Sequence, residues 1–395
     1  MGSSTSPMAI ESNQVRQNTV LAMDSHPLPN IPHEIIFDIL LRLPVKSLLR
    51  FRCVSKSWGS LISQPKFAKT HISLASTNTD NTHDRLLLRW NESNDLRCDL
   101  KSCSISAIMH ELSDTAVSLD YPIDGSCNWE WIVGSCNGLV CGTVEKRTVF
   151  LWNPSTMKSR KLPDVGMLLD KYPAYMREIY PVYGFGYDES TDDYKVVLIF
   201  QARVDWGDEN MVMVYSLRTD SWRIIGGYPR PLHVAGLGKF ASGALHWIAS
   251  SGSRRFIFSL DLARETYGEV SQPEYVGSRR YLTMDVLGGC LCMVCHYDGF
   301  GVDLWVMKEY GIRESWTKLA AILDKTHSLY GQLFTPICIL KNGDILMAVR
   351  KRLVQYSPKD GVFYDPMIFR CFPPLSVYPY IGSLVSPDTD AGNGV

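Results

Sequence analysis

Long apolar runs, net charge and catalytic motifs are all scarce in this 395-residue chain. No apolar run approaches the ~20 residues that cross a bilayer, so no membrane span is expected. The opening residues MGSSTSPMAIESNQ lack the apolar core of a secretory signal. That places the chain in the cytoplasm or nucleus as an expectation, with its eleven cysteines reduced; an odd total also speaks against a complete disulfide framework. Lys plus Arg (40) and Asp plus Glu (41) nearly cancel, for a formal charge of -1. A polyanion-binding protein usually carries a basic domain, so no nucleic-acid partner is expected. G-x-S-x-G, G-x-x-x-x-G-K-[ST] and H-E-x-x-H are all missing, which removes the hydrolase elbow, the phosphate loop and the zinc-protease helix.

One segment does imitate a cofactor site. In CLCMVCH, Cys292, Cys295 and His296 spell the C-x-x-C-H of haem attachment. Haem attachment needs an export route, and zinc needs further ligands that are not near in sequence. Strand alternation puts Leu291, Met293 and Cys295 on one face and Cys290, Cys292 and Val294 on the other, so buried thiols are expected and no cofactor or metal. His246, inside ALHWIA, is read as a satisfied strand residue rather than a base.

What is present falls into parts. Residues 1–27 show no aromatic residue and no helical period, and are read as a disordered tail. Gly2 with Ser6 matches a myristoylation pattern, but one acyl chain binds membranes weakly and no polybasic cluster follows. From Leu28 the chain reads LPNIPHEIIFDILLRL, with Pro32 suited to a first helical turn and Ile35, Ile36, Ile39, Leu40 and Leu43 on one stripe. Pro44 ends that helix and opens another with Val45, Leu48 and Leu49, and Val54, Trp58, Leu61 and Ile62 mark a third. Three short helices over residues 28–70 are too few to bury a core alone, so the unit wants a partner. Residues 71–84, which include ASTNTDNTHD, are read as a linker.

From residue 85 to 387 the texture is short strands and turns, with 388–395 a disordered tail. Hairpins recur: VFLWNPSTMKSRKL, VMVYSLRTDSWRII, FIFSLDLARETYGEV, VDLWVMKEYGIRESWTKL and RLVQYSPKDGVFY. In three of them an aromatic residue follows seven places after the anchor: Tyr215 to Trp222, Leu260 to Tyr267 and Tyr356 to Phe363. Anchors 215, 260, 305 and 356 are about 45 to 51 residues apart, the length of one four-stranded propeller blade. With a first unit at Leu86–Trp90, about six blades are expected, and YIGSLVS (Tyr380–Ser386) is placed to close the ring. Gly226-Gly227 and Gly288-Gly289 have the look of kelch-type doublets.

LPNIPHEIIFDILLRLPVKSLLRFRCVSKSWGSLI resembles an F-box, and GSCNGLVC, LWNPSTMKSRKLP, GFGYDESTDDYKVV, VYSLRTDSWR and GALHWIA resemble, in order, the F-box-associated kelch-like domain of plant F-box proteins. Within that family the pattern is similar to the group with immune-regulating members and, more distantly, to the S-locus F-box proteins. The implied fold is a small all-α three-helix F-box followed by an all-β kelch-like propeller of about six blades. The resemblance implies a substrate-recognition subunit of a Skp, Cullin, F-box (SCF) ubiquitin ligase, non-catalytic itself, docking on a Skp-type adaptor and through it on cullin and RING subunits. It places the adaptor contact on Leu28, Pro29, Ile36, Ile39, Leu43, Pro44, Leu48, Val54 and Trp58, with the acid-free basic residues of Arg42–Ile62 as a rim. A scaffold that binds the adaptor without turnover, or a ligand-gated receptor, would fit the same pattern. The protein substrate is expected on inserted loops, 164–183 and 201–210, whose aromatics sit outside strand alternation; Trp206 is the first candidate contact and Tyr175 the second.

Overall fold

A computed structural model of the chain describes residues 2, 31–77, 84–90, 99–109, 116–120, 129–144, 148–169, 181–204, 207–228, 232–274, 279–297, 301–323, 333–349, 352–364 and 376–388. The N-terminal unit holds four helices: α1 (His33–Leu41), α2 (Val45–Phe51), α3 (Lys56–Ile62) and α4 (Pro65–Thr77). Pro32 and Pro44 occupy the N-cap positions of α1 and α2 in extended conformation (ψ 144 and 147). Both prolines thus begin helices, where a missing N–H costs nothing. Ser55 caps α3 by accepting the Trp58 backbone N–H at 3.2 Å. A Cβ on Gly59 would meet Arg52 O at 2.8 Å, so only glycine lets α3 pass this close to the end of α2.

The helix α4 departs from the expected three, and it runs into residues 71–77 of the expected linker. Phe67 is fully buried and Ile72 nearly so, with Phe67 edge-on to Phe37 at 5.5 Å and His71 Nε2 bonded to Leu43 O at 2.9 Å. Its Ser- and Thr-rich end obscures the period, and packing against α1 supplies what propensity lacks.

The remainder is a ring of six antiparallel four-stranded sheets. From the inner strand outward, blade two is Trp129–Cys136, Leu139–Val144, Thr148–Asn153 and Lys158–Lys161. Blade three is Val182–Asp188, Asp193–Val204, Gly207–Ser216 and Ser221–Ile224; blade four is His233–Ala241, Ala244–Ser251, Arg254–Asp261 and Tyr267–Val270. Blade five is Arg279–Leu287, Cys290–Tyr297, Gly301–Met307 and Trp316–Leu323; blade six is Phe334–Ile339, Ile345–Val349, Arg352–Ser357 and Val362–Tyr364. Blade one joins the chain's two ends: Ser376–Ile381 is its inner strand, followed by Asp84–Trp90, Asp99–Ser104 and Val117–Ser118.

The closing strand therefore begins four residues before the expected Tyr380–Ser386, and it pairs Tyr380 with Arg85 and Tyr378 with Leu87. Residues beyond Ile381 have a separate task. Asn153 donates from Nδ2 to Ser383 O (3.1 Å) and Val385 O (2.7 Å), while its Oδ1 accepts the Ser155 N–H at 2.8 Å. A single buried amide in LWNPST thus shapes a turn of blade two and ties the C-terminal segment to it.

The expected hairpin registers are present: Tyr215 pairs with Trp222, Leu260 with Tyr267 and Tyr356 with Phe363. Gly288-Gly289 (φ 59 and 78) turns the first hairpin of blade five, as Asn137-Gly138 (φ 50 and 80) turns that of blade two. Gly226-Gly227 lies elsewhere, after the outer strand of blade three, so the two doublets are not equivalent. The expected insertion 201–210 is not a loop either: Asp193–Val204 and Gly207–Ser216 stay in register from Lys195↔Ser216 out to Val204↔Gly207. In CLCMVC the alternation holds. Cys292 and Val294 enter the core layer shared by blades five and six, whereas Leu291, Met293 and Cys295 enter that shared by blades four and five.

Candidate functional site

Apolar side chains on the helical unit divide into two sets. Leu40 and Leu48 are fully buried and Leu41, Val45 and Ile62 nearly so, forming the unit's own core. Ile31, Ile35 and Ile39 remain 56%, 49% and 52% exposed. Four residues separate each from the next, so α1 carries Ile35 and Ile39 one turn apart on one face, with Ile31 just before its first turn. Val54, between α2 and α3, is 62% exposed. Exposed isoleucines in a row are costly unless covered, because each leaves most of its transfer free energy unused.

The expected adaptor contacts sort accordingly. Ile39, Val54 and Pro44 are exposed, and Ile36, Leu43 and Trp58 are half-buried, with Trp58 edge-on to Phe51 at 5.5 Å. Leu48 is a correction: it has no free surface, so it stabilises the unit from within and cannot be a contact. Leu28 and Pro29 lie outside the described residues. Sequence periodicity missed Ile31, which precedes the helix, and gave no way to separate Ile39 from Leu40. Arg42, Lys46, Arg50 and Lys56 are all exposed around this face.

The unit is seated on blade three. Lys69 of α4 pairs with Asp192, which also accepts from the Tyr187 hydroxyl. Burial pushes the Asp192 carboxyl up, and the bonds from Lys69 and Tyr187 outweigh it and hold the pKa below its ordinary value. Asp192 sits at φ 55 in the turn joining the two inner strands, where Asp188 accepts from Ser190 Oγ (2.6 Å), Thr191 Oγ1 (2.7 Å) and Lys195 Nζ (2.9 Å). The run GYDESTDDYK thus folds a rigid platform under α4. Helical and blade residues share one continuous core that includes Phe67, Ile72, Cys136, Tyr183 and Trp222.

On the propeller, Trp206 and Tyr175 fall outside the described residues, so neither is placed. His246 is fully buried, with Nδ1 3.1 Å from Lys239 O and Nε2 2.8 Å from the Tyr310 hydroxyl. Burial pushes its pKa down to about 4, against a smaller opposing effect of the Lys239 carbonyl. His296 stacks on Tyr281 with centroids 4.0 Å apart and is likewise pushed down to about 4 by burial. Cys292 and Cys295 are buried thiols. Among the described residues no group of three His, Cys, Asp or Glu side chains is arranged to hold a metal, and no helix is long and apolar enough to cross a membrane.

A helical unit with an uncovered apolar row is thus fixed to a closed six-bladed ring. Comparison with known proteins gives the family. The F-box domain matches residues 28–70 and the F-box associated beta propeller domain matches residues 85–367. An F-box/kelch-repeat protein of Arabidopsis thaliana is 34% identical over 365 residues, covering 91% of this chain and 96% of its own. The F-box protein CPR1 of Arabidopsis thaliana is 34% identical over 319 residues, covering 75% of this chain and 73% of that one. A further Arabidopsis thaliana F-box protein is 30% identical over 391 residues, covering 88% and 89%. The chain belongs to the plant F-box proteins with an F-box-associated β-propeller.

Proposed function

We propose that this chain is the substrate-recognition subunit of an SCF ubiquitin ligase, working in the cytoplasm or nucleus. Its helical unit docks on a Skp-type adaptor, which links it to cullin and RING subunits, and its propeller holds a protein substrate. The observation that carries this reading is the uncovered row Ile31, Ile35, Ile39 with Val54 beside it. Fully burying such a side chain is worth about 1.5–3 kcal/mol, so covering the exposed half of each supplies roughly 1 kcal/mol. Exposed Arg42, Lys46 and Arg50 would steer an acidic adaptor and raise the association rate. The chain supplies no reactive group; it raises the effective concentration of substrate lysines near a recruited conjugating enzyme.

The test is co-purification with a Skp-type adaptor. Ile39→Asp, at a surface position, is expected to abolish capture while leaving the thermal melt unchanged. Capture that survives this change would move the docking surface off α1. Leu43 is a poorer probe, because it is half-buried against the unit's own core and a charge there would disturb folding as well.

A further inference from the structure

We infer that a cleft at the junction of blades four and five binds an acidic, extended segment of the substrate protein, an assignment that rests on the chain's reading as a substrate receptor. The cleft encloses about 590 Å³. One wall is the start of Arg254–Asp261 and the stretch Ser271–Glu274 that follows blade four's outer strand; the other bears Arg313, from the turn before the outer strand of blade five. Trp316 Nε1 donates to Ser271 O at 2.8 Å and ties the two blades together there.

Three arginines line it. Arg254 is held by Glu269 through two bonds of 3.0 and 2.9 Å and lies 5.0 Å from the Phe256 ring centroid. Arg313 is held by Glu274 at 2.7 Å. Both side chains remain more than half exposed, at 63% and 53%, so donors beyond those bonds still face solvent, and their planes are set in advance of any ligand. Arg255 is exposed and makes no ion pair among the described residues. Phe256 and Val270, both nearly buried, also line the cleft, from the two opposite faces of blade four.

Backbone geometry favours an extended occupant. The outer strand of blade four pairs with its neighbour only from Ile257↔Val270 to Leu260↔Tyr267. Arg254, Arg255 and Phe256 therefore carry no strand on their outer edge, which suits an extended peptide laid beside it. Three arginines outnumber Glu269 and Glu274 in the lining, a small local excess that matches a short acidic segment rather than the long track a polynucleotide needs. Blades four and five are also distinct from blade three, where Lys69 seats the helical unit, so adaptor and segment can be held together.

The experiment uses the full chain bound to a Skp-type adaptor and a fluorescein-labelled peptide of alternating glutamate and leucine, read by anisotropy, against the glutamine–leucine peptide. The glutamate peptide is expected to bind about tenfold more tightly than the glutamine one, and less so as salt rises. Arg255→Glu should remove about tenfold of that affinity and Arg255→Gln about threefold, with unchanged melts because Arg255 is exposed. Equal binding of the two peptides, or full binding by Arg255→Glu, overturns the cleft as an acid-binding site. Failure of the unmodified chain to capture the adaptor would instead overturn the receptor reading and leave the cleft's preference to stand on the peptide result.

Discussion

His246 shows how one side chain can be catalytic in appearance and structural in fact. Both ring nitrogens have partners, and burial lowers its pKa from 6.5 to about 4. A histidine depressed on folding binds its proton more readily when unfolded, so its stabilising effect is complete above about 6.5 and declines as pH falls toward 4. Between pH 7 and pH 5 this residue should cost the fold roughly 2 kcal/mol. Urea melts at the two values measure it: the unmodified chain should lose more stability on acidification than His246→Gln does. Equal losses would place the acid sensitivity elsewhere. Leu48 teaches the complementary lesson. It sits in a family motif and looks like a contact, yet its side chain is wholly interior.

Recurring elements acquire their purpose at the junctions between blades. In each of three successive junctions an aromatic residue of an outer strand donates to a main-chain carbonyl of the preceding blade's exit. Trp222 reaches Pro163 O at 2.8 Å, Tyr267 reaches Gly226 O at 2.7 Å and Trp316 reaches Ser271 O at 2.8 Å. These are the aromatics that follow the hairpin turns, so one position serves both cross-strand packing and inter-blade attachment. Trp222→Phe keeps most of the packing and loses the donor; it should lower unfolding free energy by about 1 kcal/mol. Denaturant melts check this, and an unchanged midpoint would show that solvent satisfies Pro163 O as well as the indole does. The helix α4 belongs to this scale too, since it exists through its contacts with α1 and with the turn of blade three.

For the whole molecule the decisive event is closure. The inner strand of blade one comes from the C-terminal end and pairs along Asp84–Arg89, so the ring forms only when residues almost three hundred apart meet, a large entropic demand on loop closure. Once formed, the ring leaves each inner strand's one unpaired edge short and sheltered beside the inner strands of the neighbouring blades. Ending the chain before Ser376 should expose the edge of Asp84–Arg89, lower the melting temperature and broaden the transition, whereas ending it after Asp388 should do neither. Differential scanning calorimetry separates these outcomes; a sharp, unshifted transition in the shorter chain would mean that the other blades are stable as an open arc.

Local pattern determines much of this protein. Prolines at positions 32 and 44, a period near four in the helices, strict alternation in CLCMVC and Asn-Gly or Gly-Gly turns act over a few residues, so they are written in contiguous sequence and the elements follow from them. Blade repeats are legible for the same reason, each being one hairpin motif restated. Which side of a helix faces inward is another matter: Leu48 and Ile39 carry similar side chains, and only neighbours brought from α3 and α4 bury the first and leave the second bare. The start of the closing strand at Ser376, the role of Asn153 and the seat of Lys69 on Asp192 depend likewise on groups far apart in the chain. So does the arginine cleft, whose walls come from positions 254 and 313. Free energies of burial and pairing act through space, and only the closed ring decides which distant residues share it.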